Sequence, residues 1–234
     1  MEKRVNFSII KKKYNALGKG NVRLTQSSLF LTQDISPTKS VYTFDVLENQ
    51  TQTLQPDEIR LNINDEFVIS HAGVYLYGEW NNGQAKKGFQ LLTYAPIELG
   101  TDALLVKNLY AGQMKIGVNN IIFLEKWDTR KHEIVPRTQF GSQQPIIAGV
   151  DNSGFAAVTP SIDYHNDAMV TFSPMLTLSG AKKNEVTITL PAAISPATLG
   201  FVNSNGENIA INITRIAVRF YGLNAQNAAK FQGA

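Results

Sequence analysis

The chain has 234 residues, a formal net charge of +3 and no cysteine, with 43% hydrophobic and 18% charged residues. This length suits one large β domain or two small domains, and the lack of cysteine excludes disulfides, thiolate metal sites and cysteine nucleophiles. No apolar stretch reaches the ~18 residues of a membrane helix and no export signal is recognisable, so we expect no membrane span. The lack of cysteine fits assembly in a reducing cytoplasm.

The basic charge is concentrated at the N-terminus. Residues 1–23 hold seven Lys or Arg and a single Glu, whereas the rest of the chain has 15 basic and 18 acidic residues. Such an arm on a slightly acidic body is typical of a tail that binds nucleic acid phosphates nonspecifically or contacts a neighbouring subunit. The residues predicted to make these contacts are Lys3, Arg4, Lys11, Lys12, Lys13, Lys19 and Arg23.

The same arm carries a helical pattern. Phe7, Ile10, Tyr14 and Leu17 recur at the spacing of one helix face, and the glycines around Lys19 supply a stop. The pattern predicts a short basic amphipathic helix that orders on a partner. The alternative is an ordinary first helix packed on its own domain.

From residue 24 the pattern becomes β. Short β-rich runs alternate with turn residues, and Gly73 suggests a bulge within one strand. We predict one internal helix, Thr101–Tyr110, capped by Thr101. The predicted elements are strands Ser28–Thr32, Ser40–Leu47, Ile59–Ile63, Phe67–Tyr77, Gly88–Tyr94, Gln113–Val118, Asn120–Trp127 and His132–Val135, with the helix Thr101–Tyr110.

The C-terminal third continues this pattern after an irregular stretch. Residues 137–167 are rich in Gly, Pro, Asn and Ser, which indicates a long loop or a boundary between two β halves. Strands are predicted at Ala168–Leu178, Glu185–Leu190 and Ile209–Tyr221, the last with a bulge-like phase shift at Thr214–Arg215. Without regular strand–helix alternation, the fold class is mostly β: an antiparallel β-sandwich over residues 24–234, jelly-roll-like, with one or two short helices and a basic N-terminal arm, residues 1–23.

No motif for catalysis or cofactor binding is present. The sequence lacks a phosphate-binding loop, a dinucleotide fingerprint, a G-x-S-x-G elbow and an H-E-x-x-H helix, so we expect no enzyme and no cofactor. One cluster has metal character, because Asp163, His165 and Asp167 share one side of an extended segment; the alternative is a solvated loop. Paired carboxylates of a sandwich hydrolase would have to come from Glu66, Glu79, Glu98, Glu125 and Glu133.

Aromatic residues offer a second, non-catalytic function. Tyr75 and Tyr77 share one face of a strand, and Trp80 follows near a turn. Exposed rings in this arrangement can stack on sugars, which predicts a carbohydrate-binding or adhesion module. The alternative for strand aromatics is packing in the core or across strands.

Three stretches resemble coat proteins of tailless bacterial viruses: the arm Lys3–Arg23, the stretch Tyr94–Leu124 and the end Ile213–Ala234. The resemblance lies in overall character, namely a cysteine-free, Asn/Gln/Thr-rich chain with a basic start, a helix inside a sandwich and an Ala/Gln tail. It implies a jelly-roll capsid protein of a bacteriophage virion, which self-assembles into a homo-oligomeric shell with other virion proteins and packaged nucleic acid as partners.

Overall fold

The computed structural model describes residues 7–18, 22–48, 57–81, 87–93, 103–133, 169–202 and 208–231. Within them the protein is mostly β, with ten strands, two α-helices and two short 3₁₀ helices. The elements are α1 (Phe7–Ala16), β1 (Arg23–Asp34), β2 (Val41–Phe44), β3 (Glu66–Asn81), β4 (Lys87–Leu92), α2 (Ala103–Tyr110), β5 (Gln113–Val118), β6 (Ile121–Asp128), the 3₁₀ helix Thr129–His132, β7 (Val170–Ser179), β8 (Asn184–Thr189), β9 (Ala197–Val202), β10 (Asn208–Gln226) and the 3₁₀ helix Ala228–Phe231.

The strands form two antiparallel sheets arranged as a sandwich. Sheet A contains β1, β10, β3 and β4 in that order, with β7 also paired to β3 and β9 to β10. Sheet B has the order β2-β8-β5-β6. With β4 and β9 set aside, sheet A has the order β1-β10-β3-β7. The remaining eight strands form two four-stranded sheets, and the chain crosses repeatedly between them, as in a jelly roll. The predicted mostly β fold, an antiparallel sandwich with two short α-helices, is confirmed.

The two central strands of sheet A, β3 and β10, are the longest strands described. β3 has 16 residues and β10 has 19. β10 pairs with β9 along its first part and with β1 along the remainder, while β3 pairs with β7 and then with β4. The pairing of β3 with β10 shifts register between Ile213 and Arg215. The predicted bulge at this position is therefore confirmed.

The predicted bulge at Gly73 is wrong. Pairing of β3 with β10 is continuous through Gly73, and the shift in β3 lies between Ile69 and His71. Gly73 is needed for another reason, because a Cβ there would collide with the ring of Tyr75. Tyr75 is fully buried, so its ring has little room to move aside.

The main core lies between the two sheets and extends under α2. Leu105, Val106, Leu109 and Tyr110 of α2 all join it. The Tyr110 hydroxyl donates a hydrogen bond to the Val74 carbonyl oxygen at 2.9 Å, which satisfies the one polar atom of this side chain. The predicted internal helix is confirmed from Ala103 onwards, and its predicted cap, Thr101, lies outside the described residues.

Helix α1 packs on the outer face of sheet A. Ile10 and Tyr14 are buried there, as the spacing predicts, whereas Phe7 and Leu17 remain 47% and 58% exposed. For Phe7–Ala16 the structure therefore agrees with the alternative of an ordinary first helix packed on its own domain. Residues 1–6 and 19–21 of the predicted arm lie outside the described residues.

One further prediction needs correction. His132 does not begin a strand, because it ends a 3₁₀ helix whose first turn is capped by Asp128, which accepts from Arg130 N at 2.9 Å. Within the Ala/Gln-rich end of the chain, Ala228 and Ala229 are buried. Strand β9 was not predicted at all, and the irregular stretch 137–167 lies outside the described residues.

The segment predicted as strand Ile59–Ile63 forms only two isolated bridges, Phe30 with Ile59 and Leu47 with Leu61. Its burial is also partly reversed. Ile59 and Ile63 are 48% and 41% exposed, whereas Arg60 is 5% exposed. Arg60 turns inward because it pairs with the buried carboxylate of Glu58.

Candidate interaction surfaces

The described part of the chain holds no cluster suited to a metal ion. No group of three or more His, Asp or Glu side chains comes together there. The predicted cluster Asp163, His165 and Asp167 lies outside the described residues, so the metal prediction stays a prediction. Among the described helices, neither α1 nor α2 has the length and apolar character of a membrane span.

Two of the candidate hydrolase carboxylates, Glu66 and Glu79, do not form a pair. Glu66 and Glu79 stand at opposite ends of β3, about 40 Å apart at ~3.3 Å per strand residue. A glycosidase pair must lie within roughly 10 Å. Glu66 is bonded to Tyr14 and Glu79 to Arg215, and Glu98 lies outside the described residues.

The outer face of sheet A carries two separate apolar clusters. The first, which we call the helix cluster, lies under α1. The second, the aromatic cluster, lies further along the same face. The helix cluster consists of Ile10, Tyr14, Val68, Leu223, Ala225 and Ala228, and the aromatic cluster of Phe30, Tyr75, Tyr77, Leu91 and Ala217.

In the helix cluster, one hydrogen bond accompanies the apolar packing. The Tyr14 hydroxyl donates to Glu66 Oε2 at 2.8 Å, and both residues are buried. Burial, and then the neighbouring Glu66 carboxylate, raise the pKa of Tyr14 far above its usual value. The phenol therefore stays protonated and keeps donating to Glu66 well into the alkaline range.

This docking turns the basic residues of α1 towards solvent. Lys11, Lys12 and Lys13 are all exposed, as is Arg23 at the start of β1. The helix contains no acidic residue, and none of these four cations forms an ion pair within the described part of the chain. They form a basic surface, whereas the other residues predicted to bind a partner, Lys3, Arg4 and Lys19, lie outside the described residues.

The aromatic cluster is closed, not open. Tyr75 and Tyr77 lie on one face, as predicted, but they are 0% and 4% exposed. The Arg215 guanidinium lies 4.0 Å above the Tyr77 ring, and the ring of Tyr75 folds back over Gly73. These two rings therefore offer no platform for a sugar, and the alternative of packing is the correct one. The side chain of Trp80 lies outside the described part.

A network of buried charges closes this end of the face. Glu58 Oε1 accepts from the backbone N and the hydroxyl of Thr32 at 2.8 and 2.9 Å, while Oε2 pairs with Arg60 at 2.8 Å. The side chains of Glu58 and Arg60 are only 1% and 2% exposed. With two backbone bonds between Phe30 and Ile59, at 2.8 and 2.9 Å, this network fixes the segment Asp57–Leu61 against the edge of β1.

Arg215 joins the segment to the centre of the sheet. Its guanidinium pairs with Glu79 and lies 3.6 Å from Asp57 Oδ1 and 3.3 Å from the Thr32 hydroxyl. The Tyr77 hydroxyl also bonds to Asp57, and burial together with this bond raises the pKa of Tyr77. Sequence reasoning missed this network because Arg215 and Thr32 are 183 residues apart. The bulge at Arg215 was the one local signal that this position is special.

The outer edge of sheet B presents exposed apolar side chains. Ile121, Ile122 and Phe123 of β6 are 62%, 50% and 48% exposed. Strand β6 shifts register twice against β5, so these consecutive side chains do not alternate between core and solvent. Bulges of this kind hinder the addition of a further strand at a free edge. The segment 121–123, which we call the β6 tip, therefore suits side-chain packing against another surface better than backbone pairing with another strand.

No protein-family model matches the chain, and neither the curated proteins nor the solved structures contain a match.

Proposed function

We propose that this chain is a non-enzymatic structural protein that assembles with copies of itself, and that it serves as a viral coat protein. The observation that carries the proposal is the jelly-roll order of the two sheets, β1-β10-β3-β7 and β2-β8-β5-β6. Coat proteins are one of the groups that use this fold. Because a fold alone does not determine a function, the surfaces have to support the proposal as well.

The basic surface of α1 is the first support. Ile10 and Tyr14 hold the helix so that Lys11, Lys12 and Lys13 project outward. Cations without local acidic partners attract phosphates or an acidic neighbouring subunit, since no internal ion pair has to be broken first. This arrangement suits a shell protein that binds packaged nucleic acid nonspecifically.

The β6 tip is the second support. Three adjacent large apolar side chains are about half exposed there, on a strand whose bulges prevent simple strand addition. Contiguous exposed apolar residues mark interaction surfaces in soluble proteins. An interface of this size is weak by itself, and shells are built from many repeated weak interfaces.

Light scattering on the purified full-length chain over a range of concentrations tests assembly. We expect particles much heavier than one chain, growing with concentration. The variant Ile122→Asp should reduce assembly, whereas Ile63→Asp, a change at an exposed isoleucine outside this tip, should not. A chain that stays monomeric at every concentration, with and without nucleic acid, would contradict the proposal.

Nucleic acid binding is tested separately by its salt dependence. Replacing Lys11, Lys12 and Lys13 by Gln should lower affinity for duplex DNA of any sequence. The slope of log K against log salt should become shallower by about 0.9 for each phosphate that the helix no longer neutralises. An unchanged slope would show that this surface does not bind phosphates, and the light-scattering result would then decide assembly independently.

A further inference from the structure

A buried histidine lies where the edge strand β6 ends. His132 is fully buried and is the last residue of the 3₁₀ helix Thr129–His132. The indole Nε1 of Trp127 donates a hydrogen bond to His132 Nε2 at 3.0 Å. An indole N–H can only donate, so His132 Nε2 must carry a lone pair and no proton.

This corner joins two other parts of the sandwich. The Thr129 hydroxyl lies 2.7 Å from the Leu109 carbonyl oxygen and 2.9 Å from that of Gly112, at the end of α2. The ring of Trp127 packs edge-on against Phe172 of β7, with centroids 5.0 Å apart. The 3₁₀ helix therefore anchors the end of β6 to α2, and Trp127 anchors it to β7.

Charged groups of both signs lie near His132 in the chain. Lys131 Nζ lies 4.0 Å from the centre of the Trp127 ring, and Arg130 belongs to the same short helix. Asp128 is engaged as the cap of that helix. On β7 the side chain that packs here, Phe172, is apolar. Other titratable groups near this corner include Tyr110 of α2, which interacts with Tyr75 of β3 and with Glu133, the residue after His132.

We propose that Trp127 and His132 form an acid-sensitive latch. A proton on His132 Nε2 removes the acceptor, so the bond from Trp127 is broken and a positive charge is placed on a fully buried ring. Opening the corner to water relieves both effects, and the end of β6 is released from α2 and β7. This inference does not depend on the proposed function.

The direction of the pH dependence follows from proton counting. The closed latch excludes a proton that the open form can bind near pH 6.5, the ordinary range of histidine. The latch is thus fully closed above about pH 6.5, and its opening constant rises as the pH falls, by at most about tenfold per pH unit. Acid should loosen this corner before it unfolds the sandwich.

Trp127 itself reports the latch. The chain has two tryptophans, so the variant Trp80→Phe leaves Trp127 as the only indole. In this background we expect the emission of Trp127 to change between about pH 7 and about pH 5, while far-ultraviolet circular dichroism still shows a folded sheet. His132→Gln, which keeps an acceptor but cannot be protonated, should abolish the change.

The other two histidines provide matched controls. His71→Gln and His165→Gln should leave the emission change in place. Constant emission of Trp127 down to about pH 5, or an undiminished change in His132→Gln, would overturn the proposal. If His132→Gln does not fold, nitrogen NMR of the unmodified chain at neutral pH decides the matter, because a protonated His132 Nε2 contradicts the latch.

Discussion

The two ends of the outer face of sheet A are covered in different ways. At one end α1 lies over the helix cluster, held by the buried side chains of Ile10 and Tyr14 and by one hydrogen bond to Glu66. At the other end the segment Asp57–Leu61 is held by backbone hydrogen bonds to Phe30, by the bonds of Glu58 to Thr32 and by the ion pair of Asp57 with Arg215.

The two covers differ in the free energy needed to detach them from the sheet. Detaching α1 exposes the apolar side chains of Ile10 and Tyr14 and the hydrogen bond of Tyr14 to Glu66, and water then reaches the Glu66 carboxylate, so no charge is left buried. Detaching Asp57–Leu61 breaks the ion pair between Asp57 and Arg215 and the two hydrogen bonds from Thr32 to Glu58, and a buried charge that loses its partners is expensive. We therefore expect a separable basic helix on a rigid sandwich, which suits the proposed role in binding other molecules.

The largest expected effect comes from breaking the charge network. Glu58→Ala leaves Arg60 buried without this carboxylate and removes the acceptor of Thr32, which should lower the free energy of unfolding by about 3–5 kcal/mol. Urea denaturation measures this decrease. The matched control is Lys115→Ala, which breaks a partly exposed pair with Glu185 and should cost about 0–1 kcal/mol. If the two variants lost similar amounts of unfolding free energy, the buried network would contribute no more than an exposed ion pair.

Two adjacent isoleucines test the helix cluster. Ile10 is 3% exposed and Ile9 is 57% exposed, on the same helix. Ile10→Ala should weaken docking of α1 by about 2–4 kcal/mol, because it removes most of a buried apolar side chain. Ile9→Ala should change docking by less than about 0.5 kcal/mol. Protease sensitivity of residues 7–18 measures the difference, and equal sensitivity of the two variants would mean that α1 is not docked as described.

The smallest effect concerns the hydrogen bond of Tyr14. Tyr14→Phe should cost about 1–3 kcal/mol of docking, since the buried Glu66 loses a donor. The pKa of Tyr14 is raised in the docked state, so its contribution is complete below about pH 10, the ordinary tyrosine value, and is lost as the pH rises above it. In Tyr14→Phe the alkaline weakening of docking attributable to this group should vanish. An identical alkaline profile in both proteins would contradict the role of the bond.

The fold could be predicted where the signal was local. The strand Gln113–Val118 and the bulge at Thr214–Arg215 followed from alternation and from its interruption, and both are confirmed. The antiparallel sandwich followed from many short strands without regular helices between them. Periodicity is a property of neighbouring residues, so one sequence is enough to show it.

The surfaces could not be predicted in the same way, because they depend on distant partners. Glu58 turns inward to reach Thr32, 26 residues away in the chain, which also brings Arg60 inside and leaves Ile59 exposed. The ring of Tyr77 is covered by the guanidinium of Arg215, which belongs to β10, the last strand described in the chain. Alternation shows which residues share a face, but it does not show what covers that face.

Hydrogen exchange of the unassembled full-length chain, followed by mass spectrometry, tests the comparison of the two covers most directly. We predict that amides of α1 exchange through a low-energy opening, well before those of β1 and the segment Asp57–Leu61, which should open only with the sandwich. Equal protection of α1 and Asp57–Leu61 would contradict the view that one cover is separable and the other fixed.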